Sequence, residues 1–364
     1  MLLQLDRRKF KYFDYYLFIA VCLLGVLSVF LIYSTDAGRV FYNKQILWEL
    51  LGVFLCLLVA NMDLKLIKSY AFVFYIFVLF ILIVVFFIGF VGHGAKRWIS
   101  LGFFNIQPSE FMKLAIILVL AAYFDEYIKS SKYNFNDLYL PLALILIPAA
   151  LIIKQPDLGT ALIILIVGLG IILSVGVKKT FLIKSIIFLL IAAPFFWSLL
   201  KNYQKERLIA FINPYLSPHT FGYHIIQSEI AVGSGGIFGK TAAKATQTVL
   251  NFLPENHTDF IFAAFCEQWG FVSAVVLISL YVFIIFRCLS FIDVASSIFE
   301  KIVVIGVTIM LSVSVVFNIG MTIGLLPVVG VPLPFVSYGG SAVITNFIAI
   351  GVLLNIKIKN QIYR

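Results

Sequence analysis

Charge is scarce in this 364-residue sequence: only 12% of residues are Asp, Glu, Lys or Arg, while 62% are apolar. That balance excludes an ordinary soluble domain, in which about a quarter of the residues are charged. Cysteine is limited to Cys22, Cys56, Cys266 and Cys288, all within or beside apolar runs and without C-x-x-C spacing, so they read as small core residues. No repeat of fixed spacing and no low-complexity tract is present. Nor do polar and apolar residues alternate over stretches of about ten positions, which excludes a transmembrane barrel. The first apolar run lacks an A-x-A cleavage site and more such runs follow it, so it reads as a signal anchor rather than a removable signal peptide.

What the chain does have is a succession of continuous Leu, Ile, Val and Phe runs, each near the length of about 20 residues needed to span a bilayer as a helix. About ten are expected, at 15–33, 44–60, 70–91, 110–124, 138–153, 158–176, 180–200, 259–286, 301–323 and 338–356. The predicted fold is therefore an all-α polytopic membrane protein, a single domain over 1–364, with a long extracytoplasmic loop at 201–257 between the seventh and eighth spans. Basic residues fix the expected orientation, because Lys and Arg in short loops stay cytoplasmic. With both termini inside, Arg7, Arg8, Lys9, Lys65, Lys68, Lys178, Lys179, Arg287, Lys357 and Lys359 all fall on the inner face. The net charge of +10 is then a topology signal and a match for anionic membrane lipids, and no nucleic-acid partner is expected.

Polar sequence gathers on the predicted outer face. Glu255-Asn256-His257-Thr258-Asp259 runs directly into the apolar FIFAAF. One reading makes this ordinary helix-start chemistry, with His257 or Thr258 opening the helix and Asp259 in its first turn, favoured as an anion and low in pKa. The other places a carboxylate base at the mouth of a cavity, where it reaches both water and a lipid-borne substrate. A second cluster holds Arg97 and Trp98, then Gln107-Pro108-Ser109-Glu110 and Lys113. Trp98 suits an interface anchor. Glu110 and Lys113, three apart, share a helix face and can pair as pure structure. Alternatively Arg97 and Lys113 form the electropositive part of a site for a phosphate or pyrophosphate, with Glu110 orienting Lys113.

Gln155-Pro156-Asp157-Leu158-Gly159-Thr160 opens the sixth span, with Asp157 as a first-turn carboxylate or a site residue. GSGGIFGKT at 233–241 misses the G-x-x-x-x-G-K-[ST] phosphate-loop spacing by one residue. It reads as glycine turns, with contact between Lys240 and a lipid phosphate as the alternative. GLLPVVGVPLPFVSYGGSA at 324–342 carries three prolines and the pair Gly339-Gly340. It must be irregular, and at that depth it has to be buried in protein or line an aqueous cavity.

Together KRWISLGFFNIQPSE, QPDLGT, YHIIQSEIAVGSGGIFGK, FLPENHTDFIFA and LPVVGVPLPFVSYGGS resemble the SEDS family (shape, elongation, division and sporulation) of bacterial peptidoglycan glycosyltransferases over nearly the whole chain. VVGVPLPFVSYGGS and YHIIQSEIAVGSGG are most similar to its rod-shape (RodA) branch. Two positions depart from the pattern: Asn213-Pro214 where that branch commonly has Asp-Pro, and Gln268 where an acidic residue is frequent. The resemblance implies polymerisation of lipid II, the undecaprenyl-pyrophosphate-linked disaccharide pentapeptide, at the outer face of the bacterial cytoplasmic membrane during elongation and rod-shape maintenance. It implies Asp259 as the catalytic residue. The substrate-binding candidates beside it are Arg97, Glu110, Lys113, Asp157, Lys240, His257, Thr258, Ser337, Gly339 and Gly340. Mg2+ or Mn2+ held between Asp259 and Glu110 is a further expectation, and a class B penicillin-binding protein is the implied transpeptidase partner. The competing readings are a lipid II flippase and a non-catalytic scaffold for that partner. Against the flippase, the polar clusters fall at the ends of spans rather than at the midplane where carriers bind.

Overall fold

The computed structural model describes residues 11–35, 41–92, 95–100, 102, 105–127, 132–133, 137–180, 183–185, 187, 191, 194, 197–198, 200–216 and 220–362. Nine apolar helices fall on nine of the expected spans: α1 (Tyr15–Ser34), α2 (Tyr42–Asn61), α4 (Ala71–Ile88), α5 (Pro108–Glu126), α6 (Tyr139–Lys154), α7 (Leu158–Val175), α11 (Ile261–Leu289), α12 (Ile298–Thr322) and α13 (Gly340–Ile362). Much of the expected span at 180–200 lies outside the described residues. Among the described residues, α1, α2, α7, α11, α12 and α13 are long and apolar enough to cross a membrane. Short helices α3 (Leu64–Ser69), α8 (Asn202–Ile212), α9 (Phe221–Ser234) and α10 (Thr246–Val249) lie between them.

Helix α5 is the axis of the bundle, buried from Pro108 through Leu120 on nearly every side and packed against α4, α7 and α12. The opposite pattern marks the periphery, where Phe30, Phe54, Phe80 and Phe87 are each at least 60% exposed. In water that apolar surface would drive association, whereas lipid is its natural solvent. Helix α13 lies along α2, and Asn355 ties the pair by donating to the carbonyls of Val59 and Met62, both at 2.7 Å.

The two ends of the bundle differ in chemistry. At one end Asp14, which caps α1, is paired with Arg287 and Lys357, Lys68 pairs with Asp125, and Glu300 accepts from Asn360. These are the basic segments predicted to be cytoplasmic. At the other end the connection 324–339 folds back into the bundle instead of looping away. Its carbonyls are served by side chains of three helices: Ser28 of α1 at Val336, Tyr281 of α11 at Pro334 and Asn318 of α12 at Val331. This is how irregular backbone is tolerated at membrane depth.

One element departs from the all-helical expectation. Residues β1 (Phe90–Gly92), β2 (Ala95–Ser100) and β3 (Asn105–Ile106) form a small antiparallel sheet in the segment before α5. The longest strand, AKRWIS, does not alternate polar and apolar residues, and the other two span three and two residues, so no pattern of period two marks them.

Candidate functional site

Asp259 stands just before α11, where three segments meet. Its backbone carbonyl accepts from Asn318 at 2.9 Å. The neighbouring carbonyls of His257 and Thr258 accept from Tyr338 N–H and Ser337 Oγ at 2.9 and 2.6 Å. Gly330, at φ +75°, lies against the carboxylate, and a side-chain carbon there would be 3.3 Å from Asp259 Oδ2. Only glycine combines that backbone conformation with that approach.

The expected helix start at His257 or Thr258 is corrected by this geometry. Helix α11 begins at Ile261 with no side-chain cap, and Thr258 Oγ1 instead donates to Glu255 at 2.9 Å. Asp259 therefore makes no capping bond, and the low pKa expected of a helix-start carboxylate is corrected as well. Burial first, and then the negative charge of Glu255, push the Asp259 carboxyl up to about 6, against the opposing positive charge of Arg207. Desolvation by the surrounding protein outweighs the helix field, while the residue keeps part of its surface exposed.

Arg207 is the residue that sequence reading missed. It comes from α8 in the long loop, its guanidinium lies 4.7 Å over the Phe221 ring, and Nη1 donates to the Val328 carbonyl at 3.2 Å. Its Nε is buried with no hydrogen-bond partner among the described residues. A nearly apolar stretch, Leu208 to Ile212, follows it, and nothing in that pattern points to a charge turned inward. Nearby, His224 stacks on Phe260 with ring centroids 6.0 Å apart, and burial lowers its pKa.

The other predicted residues divide into those that join Asp259 and those committed elsewhere. Arg97, on β2, and Asp157 both contribute to the field at Asp259. Arg97 donates to the carbonyls of Gln155 and Pro156 and approaches Asp157 at 4.0 Å. Asp157 is the cap of α7 rather than a first-turn residue: it accepts from Thr160 N–H at 3.2 Å and from Gln107 at 2.9 Å. Glu110 and Lys113 pair with each other at 2.7 Å, both 3% exposed, in the first turns of α5. His257 stacks on Phe41 at 5.3 Å. Ser337 braces the connection, and Gly340 opens α13 where a side chain would collide with Trp48, whereas Gly339 is uncrowded.

Lys240 belongs to a different device. Helix α11 kinks at Gly270, φ +76°, and the glycine-rich segment lies flat against the kink. Phe271 and Val272 N–H donate to the carbonyls of Gly236 and Ile237, while Lys240 and Thr241 N–H donate to Glu267 and Gln268. The fully buried Glu267 carboxylate accepts from Gln247 N–H, Thr248 N–H and Thr248 Oγ1 at 2.7–2.9 Å, with Lys240 Nζ at 3.9 Å. Glu267→Leu is expected to strand those amides and destabilise the protein by about 2–4 kcal/mol. A lower unfolding temperature, with faster proteolysis within 240–250, checks this. At the two departures noted above, Gln268 accepts from Ser34 Oγ at 2.7 Å and Asn213 accepts from Tyr215 N–H at 3.1 Å.

Among the described residues no group of three or more His, Cys, Asp or Glu is disposed to hold a metal ion. What the end of the bundle offers is a raised carboxyl in the field of two guanidinium groups, Arg207 and Arg97, and of two further carboxylates, Glu255 and Asp157, beside an irregular connection. With that arrangement in place, residues 11–362 match the FtsW, RodA and SpoVE family of cell cycle proteins. The chain belongs to this family.

Similarity within it is broad. Peptidoglycan glycosyltransferase MrdB of Helicobacter pylori is 40% identical over 97% of this chain and 92% of its own length. MrdB of Escherichia coli is 34% identical over 92% and 90%. A chain of a peptidoglycan synthase complex solved for its coordination of polymerization and crosslinking superposes with TM-score 0.82 at 30% identity, covering 96% of this chain and 98% of that one. RodA of Thermus thermophilus gives 0.71 at 26% identity over 95% and 96%. The FtsW/RodA/SpoVE fold thus extends over nearly all of the present chain, including the connection and α11 that hold Asp259.

Proposed function

We propose that this family member is a peptidoglycan glycosyltransferase that polymerises lipid II into glycan strands at the outer face of the bacterial inner membrane during elongation. The observation that carries the reading is the Asp259 carboxyl, raised to about 6 and opposed by Arg207 and Arg97. An acceptor hydroxyl must lose a proton as it attacks the anomeric carbon, and a base with a pKa near the working pH is suited to take it. Pyrophosphate leaves as an anion, so the site needs positive charge rather than a second carboxylic acid. Arg207, with an unengaged donor, supplies it, and Arg97 adds to the field. Direct displacement inverts the centre, turning the α-linked donor into a β-linked strand. In this proposal the termini lie in the cytoplasm, with the Asp14, Arg287 and Lys357 cluster, and Asp259 lies outside; the basic residues at the cluster's end support it.

A divalent cation, Mg2+ or Mn2+, belongs to the same proposal. Mg2+ sites commonly use one or two carboxylates plus substrate phosphates. Asp259 fits the first role, while Glu110 is held by Lys113. A class B penicillin-binding protein is the proposed partner that cross-links the strands.

Strand synthesis from purified lipid II by the reconstituted chain tests the function, and chelator is expected to abolish it if the cation is required. Lipid II scrambling without polymer would instead support a transporter. The pH profile is a separate check. Because the base must be ionised, kcat/KM is expected to be flat above pH about 6 and to fall about tenfold per unit below it. A rate unchanged down to pH about 4, near the ordinary carboxylate value of 3.8, would show that the base is not the raised carboxyl described above.

A further inference from the structure

The strongest feature outside the site is a carboxylate within a membrane-spanning helix. Glu49, two turns into α2, is 8% exposed. Ionisable groups at such positions are costly and mark function by default. It lines a cavity of about 230 Å³ with Cys22, Gly25, Val26, Leu50 and Phe347. Val26 and Leu50 stand on the lipid-facing rim. Glu49 Oε2 has no hydrogen-bond partner among the described residues. Oε1 accepts from Gln45 Nε2 at 2.9 Å, and the same nitrogen donates to Ser28 Oγ at 3.0 Å.

Ser28 in turn donates to the carbonyl of Val336 at 2.7 Å. Val336 immediately precedes Ser337 and Tyr338, whose hydroxyl and N–H hold the carbonyls of Thr258 and His257. A continuous chain of hydrogen bonds and backbone therefore runs from the lipid-facing cavity to the residues just before Asp259. Each link has a fixed direction. The Val336 carbonyl can only accept, so the single Ser28 proton goes there and residue 45 must be a donor toward Ser28. Glu49 supplies the acceptor that keeps the Gln45 amide turned that way.

We propose that Glu49, Gln45 and Ser28 form a positioning relay for the polymerase reaction, aligning the connection that braces Asp259. The proposal rests on the catalytic reading of Asp259, and none of the three touches the reacting atoms. The full chain, purified and reconstituted with lipid II, tests it, with Asp259→Asn as the control. Ser28→Ala, Gln45→Glu and Glu49→Leu are each expected to lower kcat about tenfold with KM within about twofold, since small misplacements at the chemistry cost rate. Glu49→Gln, which still accepts through its amide oxygen, keeps the wild-type kcat.

The exchange Gln45→Glu with Glu49→Gln is decisive. It keeps hydrogen bonds among residues 28, 45 and 49, so a role in helix packing alone would return both the unfolding temperature and the rate. The relay predicts that kcat stays low, as in Ser28→Ala, because Ser28 now donates to an ionised carboxylate at residue 45 and leaves Val336 unserved. Full rate in the exchange variant or in a folded Ser28→Ala overturns the relay, and an inactive Asp259→Asn then leaves the catalytic reading standing. An active Asp259→Asn overturns the catalytic reading itself, and the relay with it.

Discussion

Asp259→Asn is expected to lower the rate of strand synthesis by about 10²–10⁴-fold, the range associated with removal of a positioned general base. Asparagine is nearly isosteric, the backbone carbonyl at this position remains bonded to Asn318, and Gly330 leaves the side chain the same space. The loss should therefore be in kcat rather than in folding. Stability gives an independent check through its sign. A carboxyl whose pKa is raised from 3.8 to about 6 on folding binds protons more tightly in the folded state, so its ionisation reduces stability as pH rises through that window. Asparagine removes that effect. At neutral pH the unfolding temperature of the variant should equal or exceed that of the wild type while polymer disappears. Near-wild-type polymer from a well-folded Asp259→Asn sample would sink the mechanism.

The second large effect is expected at Arg207. Arg207→Met should lower kcat about 10²–10³-fold, the scale of losing one preorganised group that stabilises developing charge. It should also move the low-pH limb of the rate profile upward from about 6, because Arg207 is the principal positive charge that holds the Asp259 carboxyl down. A residue that merely packed on Phe221 would change stability and leave the limb where it was. Arg207→Lys keeps the charge without the planar fork, so the limb should return toward its wild-type position while the rate recovers only in part. An unshifted limb in Arg207→Met would show that the guanidinium does not act on Asp259.

The difference between these two residues shows how far the sequence could be read. Asp259 was legible because it interrupts apolar sequence, as five polar residues running into FIFAAF must be explained by something. Arg207 was not. It sits among Lys201, Lys205 and Glu206 on a loop helix, where charge is ordinary, and only the stacking on Phe221 and the bond to Val328 turn it toward the site. Glu110 and Lys113 were legible as a pair for the same reason as Asp259, since two opposite charges three apart in an apolar helix have each other as nearest partners. The glycine-rich segment was readable as turns, but not as the backbone surface that serves the kink at Gly270.

By itself the sequence determined the long apolar helices and the polar ends. Long apolar runs form helices in lipid because every backbone group must be satisfied within its own segment, and that rule is local. The irregularity of 324–339 was likewise fixed by its prolines and glycines. Only the tertiary structure decided which charges meet and what ionisation state they favour. The Asp259 carboxyl was expected low from its place near a helix start and lies high because residues distant in sequence bury it and Glu255 repels its charge. Ser28 reaches Val336 across 308 positions for the same reason. Such pairings depend on how the helices pack, and helix packing in a membrane is set by the shapes and hydrogen bonds of facing side chains, which no local periodicity encodes.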